Sequence, residues 1–191
     1  MESHKDTYQH RGLRRNLVTE LKQKGITDAA VLATIGKIPR HFFFEKTFVE
    51  WAYQDKAFPI AADQTISQPY TVAFQSELLE VKRGDVVLEI GTGSGYQCAV
   101  LSRLCNRVYT IERHDTLFKL SNSIFQELSI YNIRNYHRDG YQGLPTKAPF
   151  DRIIVTAGAD HIPPKLVEQL IPGGCMIVPV GGQAEGQEMI K

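Results

Sequence analysis

The run Val86-Val87-Leu88-Glu89-Ile90-Gly91-Thr92-Gly93-Ser94-Gly95-Tyr96 constrains this chain more than any other stretch. Apolar residues around a single acid predict a buried parallel strand. A Gly-x-Gly-x-Gly turn follows at once, and Cys98-Ala99-Val100-Leu101-Ser102 opens a helical pattern. Strand, glycine turn and helix in that order form the nucleotide-binding corner of an open α/β sheet. Without a Cβ the glycines turn the backbone sharply and let a ligand lie against it. Several cofactor classes use such a loop, so its neighbours decide which one fits.

From Asp85 onward short apolar runs alternate with helical ones. Strands are expected at 86–90, 107–111, 133–137, 152–156 and 175–180, and helices near 95–104, 115–129 and 163–171. The alternation predicts an α/β fold, a Rossmann-like, doubly wound, mostly parallel sheet with right-handed crossovers. Ahead of it lies an N-terminal helical extension. Leu13, Leu17 and Leu21 recur at helical spacing with Gly25 as C-cap, and Asp28 N-caps a second helix that Pro39 stops. The aromatic connection Phe42, Phe43, Phe44, Phe48, Trp51, Tyr53 and Phe58 reads as a hydrophobic skirt over one end of the sheet. Residues 1–191 read as a single domain, 1–60 its helical cap and 61–191 its core. After Pro179-Val180-Gly181-Gly182, Glu188-Met189-Ile190 begins a strand with no room to finish. The C-terminal strands are therefore expected to be missing and one sheet edge to lie bare.

A formal net charge of +1 gives no general attraction to nucleic acid or to an anionic membrane. Arg11, Arg14 and Arg15 read as a solvated helix face, with a phosphate contact as the alternative. Met1-Glu2-Ser3-His4-Lys5-Asp6 lacks the apolar core of a signal peptide, and no apolar run is long enough to span a membrane. Cys98, Cys105 and Cys175 read as buried free thiols, which fits the cytoplasm. No Cys-x-x-Cys or His-x-x-x-His pair points to a metal.

Three acids carry the chemistry. Glu112 ends a strand about 20 residues after Gly91, where a carboxylate accepts from the vicinal hydroxyls of an adenosine ribose; capping the next helix is the structural alternative. Asp139-Gly140 follows the third strand, placed to accept from an exocyclic adenine amine, or else to make a plain turn. Glu89, inside an apolar strand, needs a partner: a cationic or donating ligand group, or a buried structural donor such as a backbone amide. Pyrophosphate cofactors favour Gly-x-Gly-x-x-Gly, but here the third glycine comes one residue early, with no Arg or Lys in the loop. Negative walls suit a ligand that lacks phosphates and carries positive charge. S-adenosylmethionine, an adenosine bearing a sulfonium and an ammonium, is of that kind, so these residues predict a methyltransferase.

Before the glycine loop, Ser67 or Gln68 can cap the helix that Pro69 begins. Together, Thr65-Ile66-Ser67-Gln68-Pro69, Leu88-Glu89-Ile90-Gly91-Thr92-Gly93-Ser94-Gly95-Tyr96, Asp139-Gly140-Tyr141, Pro149-Phe150-Asp151-Arg152-Ile153-Ile154-Val155-Thr156-Ala157 and Pro172-Gly173-Gly174 resemble the protein-L-isoaspartate O-methyltransferase family. The resemblance implies methylation of the α-carboxyl of L-isoaspartyl residues in damaged proteins or peptides. It implies S-adenosyl-L-methionine as cofactor, with no nucleic-acid or membrane partner. It further implies Ser67 as the active-site residue. Thr65, Ile66, Ser67, Glu89, Gly91, Thr92, Gly93, Gly95, Glu112, Arg113, Asp139 and Gly140 would hold the cofactor, and Ile66, Ser67 and Val72 the acceptor.

Two departures stand out. Arg138-Asp139-Gly140 replaces the usual Gly-Asp-Gly, which bears on the local loop shape, and family members run some tens of residues further, completing the sheet and the peptide groove. Three other readings remain open at this level. One is a methyltransferase with a small-molecule or nucleic-acid acceptor, although Thr156-Ala157-Gly158-Ala159 lacks the Asn/Asp-Pro-Pro-Tyr-like motif used on base nitrogens. The others are a non-catalytic cofactor-binding protein and, more remotely, a dehydrogenase.

Overall fold

The computed structural model describes residues 5–181 and 187–191; the readings at Met1–His4 and at Gly182 lie outside the described residues. Two helices come first, α1 (Tyr8–Gln23) and α2 (Ala29–Ile35), followed by 3-10 turns at Arg40–Phe43 and Lys46–Trp51. Gly25 ends α1 at φ 98°, with Ile26 N–H donating to Leu21 O and Gly25 N–H to Lys22 O, the paired bonds of a glycine-terminated helix. Asp28 caps α2 by accepting from the amides of Ala30 and Val31 at 2.7 and 2.9 Å.

The hairpin β1 (Phe58–Ile60) and β2 (Gln64–Ile66) leads into α3 (Pro69–Leu79). Then come β3 (Val86–Ile90), α4 (Tyr96–Leu104), β4 (Arg107–Glu112), α5 (Asp115–Glu127), β5 (Ile133–His137), β6 (Phe150–Val155), α6 (Pro164–Val167), β7 (Leu170–Val180) and β8 (Glu188–Ile190). The central sheet has the order β5-β4-β3-β6-β7-β8, parallel except for β8. The chain leaves β3 toward one edge and returns through β6 toward the other, so the connections diverge above β3 and β6. Ligands of open sheets gather at the carboxyl ends of strands at such a point. Val87, Val100, Val108 and Ile154, all fully buried, belong to the core on the face that also carries the N-terminal helices. Leu88, Ile153 and Val178 pack on the other face.

Four expectations are corrected. The helix expected over 163–171 is only α6, because Gln169 is drawn into tertiary bonds. Its backbone O accepts from Phe150 N–H at 2.8 Å and its side chain takes Leu144 N–H and Gln142 O. The edge beyond β7 is not bare over its last residues: β8 pairs with Val178–Val180 antiparallel. Arg14 is no part of a solvated face. At 4% exposure it holds Asp6 through two 2.8 Å bonds and donates to Tyr53 Oη and Gly36 O. Finally, neither Ser67 nor Gln68 caps α3 with its side chain; Asp55 Oδ1 accepts the Tyr70 amide instead, at 2.7 Å. The aromatic connection is partly core, since Phe42, Phe43, Phe44 and Tyr53 are buried, with Phe43 edge-on to Tyr96. Trp51 stays 39% exposed.

Candidate active site at the carboxyl ends of β3 and β4

The glycine loop is shaped by its neighbours. Gly91, Gly93 and Gly95 all have positive φ. A Cβ on Gly95 would stand 2.7 Å from the Phe125 ring, and one on Gly91 would stand 2.8 Å from Thr156 Oγ1. Side chains are therefore excluded at these two positions by packing as well as by conformation. A Cβ on Gly93 would meet only Ile60 Cδ1, at 3.9 Å, so the hairpin carrying Thr65 and Ile66 lies beside the loop.

The loop amides are engaged internally. Gly91 and Thr92 N–H donate to Ile111 O, Gly93 N–H to Glu112 Oε2, Gly95 N–H to Thr92 O and Tyr96 N–H to Ser94 Oγ. A pyrophosphate needs such donors facing outward. Their engagement within the loop fits a cofactor without phosphates.

Glu112, 4% exposed, accepts from Gly93 N–H and His114 N–H at 2.8 Å each. His114 is the N-cap of α5, so this carboxylate fulfils part of the structural alternative. Each oxygen keeps a second lone pair, which leaves acceptor capacity for a diol. Arg113 beside it is exposed and bonds His114. Asp139 is exposed and accepts the Tyr141 amide at 2.8 Å, the turn role, with its other oxygen unengaged among the described residues. Gly140 is needed for contact, since a Cβ there would collide with Ile90 Cγ2. Arg138 does not take a positive φ, so an arginine is accommodated there without backbone strain.

Glu89 is fully buried. Its structural partner is not a backbone amide but the hydroxyl of Thr110, directly opposite it in the β3–β4 register, donating to Oε2 at 2.6 Å. Its Oε1 has no partner among the described residues. Burial pushes the carboxyl up to about 8, so at neutral pH Glu89 is protonated and does not contribute to a negative wall. Beyond Thr110 the network runs through Thr92 Oγ1, 3% exposed, to Asn135 and Ser121. The side chain of Thr92 therefore serves the scaffold.

On the acceptor side Thr65 is exposed, Ser67 half-buried, and Ile66 and Val72 are core residues at 2% and 1% exposure. The Ser67 hydroxyl makes no hydrogen bond among the described residues, while its backbone O accepts from Arg40 Nη2 at 2.8 Å. Arg40 and Asp55 escaped the sequence reading. Asp55 binds Lys24 Nζ, Gln68 Nε2 and the Tyr70 amide, gripping the chain just after Ser67. A charged residue inside Ile38-Pro39-Arg40-His41-Phe42 is the one sequence signal for Arg40.

Asp6, His10 and His41 bring ligand-type atoms within 4.8 Å of one another. Both Asp6 oxygens are held by Arg14, and His41 Nδ1 lies 2.6 Å from Tyr53 Oη. The group fastens α1 to the turn after α2. All three cysteines are free, Cys98 and Cys105 buried and Cys175 less so.

The family model described as protein-L-isoaspartate(D-aspartate) O-methyltransferase matches residues 12–191. A protein-L-isoaspartate O-methyltransferase of Flavobacterium johnsoniae is 60% identical over 177 residues, 93% of this chain and 83% of its own. A solved protein-L-isoaspartate O-methyltransferase superposes with TM-score 0.83 at 31% identity, covering 92% of this chain and 58% of that one. A Plasmodium falciparum structure assigned to the same enzymes, in complex with S-adenosyl-L-homocysteine, gives TM-score 0.80 at 26% identity over 92% of this chain and 87% of that one.

Proposed function

This chain belongs to the protein-L-isoaspartate(D-aspartate) O-methyltransferase family, and from that membership we propose how its residues divide the work. The enzyme transfers a methyl group from S-adenosyl-L-methionine to the α-carboxyl of L-isoaspartyl residues in damaged proteins. Among the described residues no helix is long and apolar enough to cross a membrane. We assign residues 1–191 to one methyltransferase domain with 1–60 as its cap, and its free thiols favour the cytoplasm.

The cofactor supplies an electrophilic methyl on a sulfonium. Gly91, Gly93 and Gly95 would give the cofactor a side-chain-free floor, Glu112 would accept from its ribose, and Asp139-Gly140 would accept from its adenine. Thr92 and Arg113 contribute as loop and strand-end neighbours, and Thr65, Ile66 and Ser67 close the site from the hairpin. The unpartnered Oε1 of Glu89 would receive the cofactor's ammonium, and Glu89 would then release its proton to solvent. Calorimetric titration with S-adenosylhomocysteine at pH 7, in buffers of different ionisation enthalpy, should report release of close to one proton. Heats that do not depend on the buffer would remove Glu89 from that role.

The acceptor carboxylate is already ionised at neutral pH, its reference pKa lying near 3.5. No general base is needed. Catalysis rests on holding the acceptor in line and excluding water. Ser67 donates a hydrogen bond to the acceptor carboxylate and orients it; Ile66 shapes the floor beneath, and Val72 acts from the core behind it. The observation that carries this reading is the hairpin beside the glycine loop, with the Ser67 hydroxyl unengaged. An isoaspartyl peptide and its normal aspartyl twin, assayed side by side, should show methyl transfer to the first only. Ser67→Ala should lower kcat by roughly 100-fold while the affinity for S-adenosylhomocysteine holds. Parallel loss of affinity and rate would defeat the orienting role.

A further inference from the structure

Among the described residues Arg40 is the largest fully buried side chain, at 0% exposure, and it forms no ion pair. A buried cation without a carboxylate is unusual, and an apolar residue of similar volume would fill the space at less cost. The donors of Arg40 go to two backbone carbonyls in separate loops: Nε to Ala52 O at 3.0 Å and Nη2 to Ser67 O at 2.8 Å. Its guanidinium lies over the Tyr96 ring, 4.4 Å from the centroid, with the Phe44 ring 5.3 Å away. Tyr96 is the first residue of α4, immediately after Gly95. A single rigid plane thus joins the acceptor-side Ser67 to the first turn of the cofactor-side helix. The third nitrogen, Nη1, and the Tyr96 hydroxyl both lack a well-formed hydrogen bond among the described residues, so the tie to Tyr96 is made by the guanidinium over its ring and by the attraction between the cation and the phenol.

We propose that Arg40 is a positioning residue for methyl transfer, fixing the distance between Ser67 and the glycine-loop end of α4. The proposal rests on the reading of Ser67 as the residue that orients the acceptor. A planar guanidinium donates to two divergent carbonyls in a fixed geometry while its face stacks on a ring; a lysine ammonium is a point charge on a flexible stem, without the rigid fork or the stacking plane. Displacement of Ser67 by an ångström is enough to misalign an in-line transfer without disturbing a cofactor bound to other elements.

The test compares Arg40→Met, which keeps the apolar stem, and Arg40→Lys with the wild-type enzyme, singly and in a Ser67→Ala background. The readouts are kcat and KM for an isoaspartyl peptide, Kd for S-adenosylhomocysteine, and thermal unfolding. Arg40→Met should lower kcat on the order of 100-fold, and Arg40→Lys about 10-fold, with Kd within about threefold of wild type. With Ser67 already replaced by alanine, Arg40→Met should lower the residual rate less than about threefold further, since the group it positions has lost its hydroxyl. Equal losses in both backgrounds, matching losses of cofactor affinity, a folded Arg40→Met enzyme with wild-type kcat, or two variants that both fail to fold would overturn the proposal. A wild-type rate in Ser67→Ala alone would instead sink the reading of Ser67, so the two failures are distinguishable.

Discussion

Two buried ionisable groups flank the glycine loop, one in the N-terminal cap and one in the sheet, and they solve the same problem in opposite ways. Arg40 reaches from the cap to Ser67 and Tyr96, while Glu89 lies within the sheet; each is at 0% exposure and neither forms an ion pair among the described residues. Burial lowers the Arg40 guanidinium only to about 10, so it remains charged at neutral pH, held up by Tyr96 and by the more distant Asp55 carboxylate, with two backbone carbonyls accepting its donors. The same physics raises the Glu89 carboxyl to about 8, so it discards its charge and needs one hydroxyl donor. A group that cannot shed its charge must be caged by the structure, whereas a group that can shed it is tolerated with little support. The cage therefore marks a permanent charge with a mechanical task, and the lightly held acid marks a site where charge can appear on demand.

Glu89→Gln should break this contrast most strongly. The carboxyl rises from 4.5 in the unfolded chain to about 8 in the fold, so its stabilisation is present below pH 4.5 and is lost as pH rises toward 8. Glutamine keeps the bond from Thr110 and removes the titration. Urea unfolding at pH 5 should find the two proteins alike, and at pH 8 the variant should be more stable by up to about 4 kcal/mol. Parallel curves would mean that Glu89 ionises normally. Next in size, Arg40→Ala should destabilise by about 3 kcal/mol, because it empties a large buried volume and orphans the carbonyls of Ala52 and Ser67. That loss should be flat between pH 6 and 8, since guanidinium is charged in both states. A marked slope would show that a neighbour's titration was carrying the effect.

What the sequence made legible follows the same line between local and non-local causes. The strands β3, β4 and β6 announce themselves because each carries an apolar run bounded by glycine or polar residues, and Asp28 announces α2 because a cap acts on amides two and three residues on. Glu89 was visible as an anomaly, but its partner Thr110 required the register of two strands. Arg40 was invisible as a positioning residue, since its partners are backbone oxygens and leave no side-chain signature. The same blindness hid Gln169, whose bonds to Phe150, Leu144 and Gln142 override a local helical pattern and start β7. Arg14 looked solvated because its partner Asp6 and the Tyr53 ring beneath it are joined only by folding. For the candidate site, the loop and its acids were readable, while the alignment of Ser67 was not.

The cap and the sheet should also part company on acidification. Burial, with His10 beside it, lowers His41 from 6.5 to about 4, so the fold keeps it neutral while the unfolded chain takes up a proton. Its contribution is therefore intact above pH 6.5 and is lost as pH falls toward 4, the reverse of Glu89. Between pH 7 and 5 the wild type should lose about 2 kcal/mol more than His41→Gln does, by urea unfolding at both pH values. Equal losses would place His41 in contact with water. The smallest effect tests whether carboxylates differ by chemistry or by donors. Asp28 accepts two helix amides at 2.7 and 2.9 Å where Glu89 accepts one hydroxyl. Asp28→Ala should cost about 1 kcal/mol, and Asp28→Asn, which caps as well, only a few tenths. The sign is opposite to that of Glu89→Gln at pH 8, although both substitutions remove one carboxylate. An Asp28→Asn penalty as large as that of alanine would mean that the charge, not the count of hydrogen-bond donors, decides how this fold treats its acids.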